Sequence, residues 1–162
     1  DLIEYASFFG SIQIFKYLSL NGSELKPSIW NFAIHGRDPE IIHLLEEKNI
    51  KPSDETYKEC LVESIKCHHN EIKIYIESNY IQNQNINDVM LSKSFKYHNL
   101  NCIDDIQINE STFCDLCKYN YVEIAKILVK TNQINPCTTN YNGISALSYL
   151  TEQDQKNIFL YN

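Results

Sequence analysis

The sequence predicts an all-α protein in which pairs of short helices are stacked along the chain. A related pattern returns about every 30 residues, and each return contains two stretches with the apolar spacing of a helix. A period of this length is typical of solenoids, in which each unit buries its apolar face only against its neighbours. Such folds are expected to present binding surfaces rather than catalytic sites.

Six copies of the pattern can be placed on the chain. We number positions so that the second helix of each copy opens at position 13, which puts position 1 at Asp1, Ser28, Glu59, Val89, Ser111 and Ser145. The predicted copies cover residues 1–25, 28–50, 59–80, 89–108, 111–134 and, in part, 145–162 of one domain, 1–162. Their spacing varies while the helical pattern is kept, as expected for surface loops that absorb changes in length.

The first helix of each copy carries a small residue at position 6. A small side chain there lets two antiparallel helices approach closely, so this position is expected to mark close packing between helices. It holds Ala6, Ala33, Ser64 and Ser94, with Leu116 as the exception.

The second helix of each copy carries apolar residues at positions 14, 17 and 18, the stripe of an amphipathic helix. The members are Ile14, Tyr17, Leu18, Ile41, Leu44, Leu45, Ile72, Tyr75, Ile76, Ile124, Ile127 and Leu128. We expect Ile124, Ile127 and Leu128 to be buried. The fourth copy has Cys102, Asp105 and Ile106 at these places, so its second helix is predicted to be short or distorted.

Glycine and proline fall at the predicted helix boundaries. Gly10 and Gly36 lie between the helices of a pair, where a left-handed backbone is expected and glycine adopts it at little cost. The run Asp38-Pro39-Glu40 has the composition of a helix start, with an N-cap, a first-turn proline and an acidic first turn.

Composition narrows the function classes. The net charge is -7 and the pI is near 5.2, which argues against binding of the nucleic-acid backbone. No run approaches the roughly 18 apolar residues of a membrane span, so no membrane partner is expected. The six cysteines are expected to be reduced and mostly buried in a cytoplasmic protein. A start without Met inside a helical pattern predicts a piece of a longer protein.

Residues 135–150, NPCTTNYNGISALSYL, resemble the junction between ankyrin repeats. Residues 140–143 stand for the hairpin tip, where Gly143 can take the positive φ of a tight turn, and 145–148 for the Thr-Pro-Leu-His segment. Residues 14–18 and 122–129 are similar to the Ile-Val-Lys-x-Leu-Leu run of the family's second helix. The resemblance covers nearly the whole chain and looks like the divergent, degenerate class expanded in certain protists. Another α-solenoid of helix pairs is the alternative architecture.

The ankyrin resemblance implies a concave groove lined by positions 8 and 9 of the first helices. Those positions hold Phe8, Phe9, His35, Lys66, Cys67, Lys96, Tyr97, Lys118 and Tyr119. Three successive copies place Lys at position 8, and aromatic residues flank two of these lysines. The expected function is therefore a non-catalytic scaffold that binds a protein or peptide partner with acidic character. The alternative to a binding groove is that these lysines simply form a solvated helix face.

Candidate catalytic and metal motifs are weak. Cys114 and Cys117 form a CxxC, but it falls inside a predicted helix and no second ligand pair follows at metal-site spacing. His68 and His69 are adjacent, so on a helix their side chains diverge. We expect no enzyme activity, no metal and no cofactor. A zinc- or thiol-dependent module built on Cys114 and Cys117, or a structural spacer, remains as the alternative function.

Overall fold

The computed structural model describes residues 1–81, 87–103, 109–131 and 133–159, and all regular secondary structure in these ranges is helical. The predicted all-α class is therefore confirmed for this part of the chain. The chain divides into two compact units, unit 1 (Asp1–Asn85) and unit 2 (Ile86–Asn162), which are described separately. A single domain over 1–162 stays a prediction. Within the described ranges, every helix is too short or too polar to cross a membrane.

Unit 1 consists, in its described part, of helix pairs that pack in chain order. The pairs are α1 (Leu2–Phe8) with α2 (Ile12–Leu20), α3 (Ile29–Gly36) with α4 (Pro39–Glu47), and α5 (Lys58–Lys66) with α6 (Asn70–Tyr80). Helix α1 packs against α3, α3 against α5, and α2 against α4. Each pair is an αα-hairpin with a short connection. As expected from the sequence, Asp38 caps α4 by accepting from the amides of Glu40 and Ile41.

Unit 2 is arranged around one central helix. Its elements are α7 (Asn87–Lys96), a 3₁₀ turn (Leu100–Cys102), α8 (Glu110–Lys118), α9 (Val122–Lys130), a second 3₁₀ turn (Ala146–Tyr149) and α10 (Glu152–Phe159). Helix α8 contacts α7, α9 and the second 3₁₀ turn, and α9 contacts α10. In the described residues of copy four, only the first 3₁₀ turn follows α7. Asp105 and Ile106, on which the predicted distortion depends, lie outside the described residues.

A left-handed residue closes the first helix of every copy from one to five. Position 10 takes a left-handed backbone each time, at Gly10 (φ 61°), Arg37 (56°), His68 (59°), His98 (54°) and Asn120 (66°). In copies one, three, four and five the amide of position 11 donates to the carbonyl of position 6, over 2.8–2.9 Å. This is the six-to-one bond of a Schellman motif, which satisfies a carbonyl at the helix end.

Gly36 has a different role from the one predicted. It is the last residue of α3, and the neighbouring Arg37 takes the left-handed conformation, so the expected backbone at Gly36 was wrong. A Cβ at Gly36 would lie 2.0 Å from the carbonyl oxygen of Ser7 and 2.8 Å from the amide nitrogen of Gly10. Glycine is required here because the ends of α1 and α3 approach one another so closely.

Burial of the first helices follows the repeat. The small position 6 is buried in all of its members, Ala6, Ala33, Ser64 and Ser94, and so is the larger Leu116. Position 7 is buried as well, at Ser7, Ile34, Ile65, Phe95 and Cys117. Two adjacent positions of the first helices are therefore buried in both units.

Burial of the second helices departs from the predicted stripe. Ile41, Leu45, Ile72, Ile76 and Leu128 are buried as expected. Four other members are exposed, and the prediction is wrong for them: Ile14 by 53%, Tyr17 by 66%, Ile124 by 37% and Ile127 by 58%.

The exposed members of the stripe are explained by which helix covers each face. Tyr75, at position 17 of copy three, donates its hydroxyl to Glu46 at the end of α4 over 2.8 Å. Positions 14 and 17 therefore depend on the second helix of the preceding copy for cover. No described helix precedes α2 in that role. For α9, the described part of copy four supplies only a 3₁₀ turn. Position 15 is buried at Phe15, Ile42 and Ala125.

The turn predicted from the ankyrin-like motif is present in unit 2. Gly143 has a φ of 73° and donates its amide to the carbonyl of Asn140, and Thr139 and Ser145 form an isolated antiparallel bridge. The Asn140 side chain also accepts from the amides of Asn142 and Ile144. An asparagine-stabilised hairpin therefore leads directly into the second 3₁₀ turn.

Candidate functional site

The predicted groove residues all lie at the C-terminal ends of first helices. In unit 1 they are Phe8 and Phe9 at the end of α1, His35 in the last turn of α3, and Lys66 at the end of α5. The position-10 turn immediately follows each of them. In unit 1, position 8 of one copy contacts position 8 or 9 of the next copy, at Phe8 with His35 and at His35 with Cys67.

Three ring side chains at the helix ends of unit 1 form an aromatic row across two copies, and they are Phe8, Phe9 and His35. The rings of Phe8 and His35 lie 4.9 Å apart between centroids, tilted by 33°. Phe9 packs edge-on against Phe8 at 5.1 Å and remains 70% exposed. The structure therefore brings together three of the predicted residues as one surface.

His35 also contacts two residues of the next helix, Glu63 and Cys67. The Nε2 atom of His35 lies 2.5 Å from Oε1 of Glu63, and its Nδ1 atom lies 3.3 Å from Sγ of Cys67. The Cys67 sulfur is 4.0 Å from the same Glu63 oxygen. Glu63 and Cys67 are four residues apart along α5 and so share one face of that helix. We call these three residues the His-Glu-Cys cluster.

Lys66 adds a positive charge beside the cluster. Its Nζ atom lies 3.0 Å and 3.3 Å from the two carboxylate oxygens of Glu63. Burial, together with the negative charge of Glu63, raises the pKa of the Cys67 thiol, and Lys66 partly offsets this effect. The positive charge predicted at Lys66 is thus partly balanced by a carboxylate within the same surface.

Glu63 is the site residue that sequence reasoning missed. His35 and Cys67 were recognised only as groove positions, and Glu63 was given no role. The signal was nevertheless present, because stacking by one copy places position 8 of copy two beside positions 5 and 9 of copy three. Within the part of the chain that the structure describes, only this cluster brings three His, Cys, Asp or Glu donor atoms within 4.8 Å of one another.

Unit 2 carries two lysine–tyrosine pairs at equivalent positions. Lys96 lies over the ring of Tyr97 at 5.1 Å from its centroid, and Lys118 lies over Tyr119 at 5.2 Å. The pairs end neighbouring helices, since α7 packs against α8. The neighbouring Tyr119 raises the pKa of Lys118. Lys66 belongs to the other unit, so a common groove of all three lysines stays a prediction.

The CxxC cysteines lie in the interior of unit 2. Cys114 and Cys117 are buried among core residues that include Phe113, Leu116 and Val129. Burial raises the pKa of both thiols, that of Cys117 to about 12. Metal binding and thiol chemistry both require thiolates. Among the described residues, no third His, Cys, Asp or Glu donor lies close enough to this pair to complete a metal site. The surroundings of this pair therefore favour a packing role.

A small cleft of unit 1 lies between α4 and α6. It has a volume of about 210 Å³ and is lined by Arg37, Pro39, Ile42, His43, Glu71, Ile72 and Tyr75. Arg37 and Glu71 form an ion pair at this cleft. Pockets for organic ligands usually measure about 300–1,000 Å³, so this cleft is small for such a role.

Comparison with known proteins found no relative of this chain. No family model, curated protein or solved structure matches the chain. Function is therefore inferred below from the residues and their geometry.

Proposed function

We propose that this chain is a non-catalytic protein-binding module of the ankyrin-repeat type. In this proposal a peptide segment of a partner binds at the ends of the first helices, across successive copies. One observation carries it: Phe8 and His35, which are equivalent residues of two copies, lie in ring contact at 4.9 Å. Side chains that are adjacent across copies form a continuous surface, which a single exposed helix end does not provide.

Exposed aromatic side chains support a binding role for this surface. Phe8 is 39% exposed and Phe9 is 70% exposed, although both are large and apolar. Clustered apolar exposure on a folded domain marks interaction sites, and aromatic residues contribute strongly to binding energy. His35 and the ion pair of Lys66 with Glu63 give the same surface a polar rim.

The lysine–tyrosine pairs of unit 2 favour a partner with acidic character. Each pair offers a positive charge next to an aromatic face, which suits a carboxylate beside an apolar side chain. The chain has a net charge of -7, so these lysines are positive charges on a protein that is acidic overall. Attraction of an acidic segment is expected to speed association and to weaken as salt shortens the Debye length.

The hairpin of unit 2 supports assignment to the ankyrin type. In that family a polar hairpin leads into the first helix, and residues 139–145 form such a turn before Ala146–Tyr149. The stacking of first helices in unit 1 is compatible with the same type.

A cytoplasmic location is part of this proposal and rests on the reduced cysteines, since the described cysteines are free thiols.

Selection from a random peptide library tests the proposal directly. Short peptides displayed on phage are selected against the immobilised chain, and the affinity of the enriched peptides is measured by fluorescence anisotropy. We expect the enriched sequences to be acidic and to contain aromatic or aliphatic residues. Binding should weaken about tenfold or more in the triple variant Lys66→Glu, Lys96→Glu, Lys118→Glu, because charge attraction becomes repulsion.

Matched variants separate this surface from charge and hydrophobicity in general. Lys48→Glu, Lys51→Glu, Lys156→Glu makes the same change of net charge at exposed lysines elsewhere and should leave affinity within about twofold. For the aromatic row, Phe8→Ser with Phe9→Ser should abolish binding by a peptide that docks on unit 1. Leu2→Ser with Tyr5→Ser alters two exposed apolar residues of the same helix outside this row and should not. Equal effects of target and control variants, or no enrichment at all, would contradict the proposal.

A further inference from the structure

The His-Glu-Cys cluster has the composition and geometry of a metal site. We propose that His35, Glu63 and Cys67 bind one zinc ion between α3 and α5 of unit 1. This goes beyond the proposed protein binding and does not depend on it. The sequence alone predicted no metal, because the three residues are far apart along the chain and match no ligand motif.

The donor types favour zinc over the common alternatives. Imidazole nitrogen, thiolate sulfur and carboxylate oxygen are the ligands that zinc takes in proteins. A thiolate is a soft ligand, so magnesium and calcium, which prefer oxygen only, are disfavoured. The Cys67 thiol releases its proton to solvent when the metal–sulfur bond forms.

The spacing of the donor atoms requires only small movements. Tetrahedral zinc, with bonds of about 2.0 Å to nitrogen or oxygen and about 2.3 Å to sulfur, places its ligand atoms about 3.3–3.6 Å apart. In the cluster, Nε2 of His35 lies 3.8 Å from Sγ of Cys67 and 2.5 Å from Oε1 of Glu63. The sulfur lies 4.0 Å from that oxygen. On binding of the ion, the two distances to the Cys67 sulfur would shorten slightly. The distance between Nε2 of His35 and Oε1 of Glu63 would lengthen, because the ion lies between these atoms.

The cluster is held by rigid elements and is partly shielded from water. Glu63 and Cys67 are fixed by α5, and His35 by α3, which packs directly against α5. The side chain of His35 is 29% exposed and that of Glu63 is 17% exposed, so an ion can reach them from solvent. Three protein ligands leave one tetrahedral position for a water molecule, as in zinc sites that are not fully closed.

Two neighbouring residues orient the ligands. Phe8 packs against the imidazole of His35, and Lys66 holds the carboxylate of Glu63. Contacts of this kind fix the orientation of the side chains that coordinate the metal, and they are important for metal affinity. The row of aromatic and charged residues at the helix ends therefore also serves as the surroundings of the metal.

Titration with Co²⁺ as a spectroscopic substitute for zinc tests the proposal. The chain is first stripped with a chelator under reducing conditions. We expect a thiolate-to-cobalt absorption band that saturates at one equivalent and is displaced by zinc. Cys67→Ser should remove the band, whereas Cys137→Ser, which alters an exposed free cysteine, should retain it. His35→Ala or Glu63→Gln should weaken binding at least about tenfold, since even the loss of outer contacts costs about 10–100-fold.

Protection of the cysteines in the unaltered chain gives a second readout. Alkylation followed by peptide mass spectrometry should show that zinc slows modification of Cys67 about tenfold or more, with no change at Cys137. Absence of the cobalt band, or alkylation of Cys67 at the same rate with and without zinc, would overturn the proposal. So would a band that survives Cys67→Ser but is lost in the double variant Cys114→Ala, Cys117→Ala.

Discussion

Units 1 and 2 use the same first-helix ending but differ in how the second helices are covered. In unit 1 each first helix packs against the next, and two second helices contact one another. In unit 2, α8 is the centre, with two 3₁₀ turns beside α-helices. Both units keep the left-handed residue at position 10 and the buried positions 6 and 7. The first helix and its turn are therefore the constant part of the repeat, and the second helix is the variable part.

The two units also anchor their aromatic residues differently. In unit 1, Tyr57 and Tyr80 stack at 3.9 Å, and Trp30 lies edge-on to Tyr57 at 5.2 Å. Tyr80 and Tyr75 both donate hydroxyl hydrogens to Glu46. In unit 2, Tyr121 packs against Phe95 at 5.3 Å. A carboxylate thus organises these aromatic residues of unit 1, and we expect the stability of that unit to depend on pH.

The largest effect is expected from truncation of a buried second-helix residue in unit 2. Leu128→Ala should lower the free energy of unfolding by about 2–5 kcal/mol, because Leu128 is 5% exposed and its loss leaves a cavity. Ile127→Ala on the same helix should change it by no more than about 0.5 kcal/mol, because Ile127 is 58% exposed. Urea unfolding followed by far-ultraviolet circular dichroism measures both. Equal midpoints for the two variants would mean that the described face of α9 is wrong.

A smaller, pH-dependent effect is expected in unit 1. Burial raises the pKa of Glu46, but hydrogen bonds from Tyr80, His43 and Tyr75 outweigh it and lower the pKa below its ordinary value of 4.5. A lowered pKa stabilises the fold above that ordinary value, and the contribution disappears as the pH falls through the folded-state pKa. Glu46→Gln should therefore destabilise unit 1 at pH 7 by about 1.5 kcal/mol.

Trp30 reports this pH effect without interference from unit 2, because it is the only tryptophan of the chain. Unfolding followed by its fluorescence at neutral pH and well below the ordinary pKa of Glu46 isolates the difference between variant and parent. The two should converge in acid. A difference that persists unchanged at low pH would show that Glu46 does not act through its charge.

The sequence predicted the parts of the fold that depend on local pattern. The small residues at position 6 indicated close packing between helices, and all four of them, Ala6, Ala33, Ser64 and Ser94, are buried. The second-helix stripe was only half right, because exposure of Ile14 or Ile127 depends on whether a neighbouring helix covers it. Periodicity within one helix carries no information about that neighbour.

The candidate site was predictable to a similar extent. Resemblance to the ankyrin pattern pointed to Phe8, Phe9 and His35, which the structure places in contact. The role of Glu63 was not predicted, because it depends on contact between position 5 of one copy and position 8 of the preceding copy. That contact is known only once the packing of α3 against α5 is known. The backbone at Arg37 was also missed, because left-handed arginine is uncommon and Gly36 seemed the natural choice.

Hydrogen exchange at position 11 tests the central claim, that one helix-ending turn recurs in both units. The amides of Ser11, His69, Asn99 and Tyr121 each donate to a position-6 carbonyl. Measured by NMR, all four should exchange about 100-fold or more slowly than unstructured peptides, which corresponds to opening free energies above about 3 kcal/mol. Fast exchange of Asn99 and Tyr121 beside protected Ser11 and His69 would contradict the claim and confine the repeated turn to unit 1.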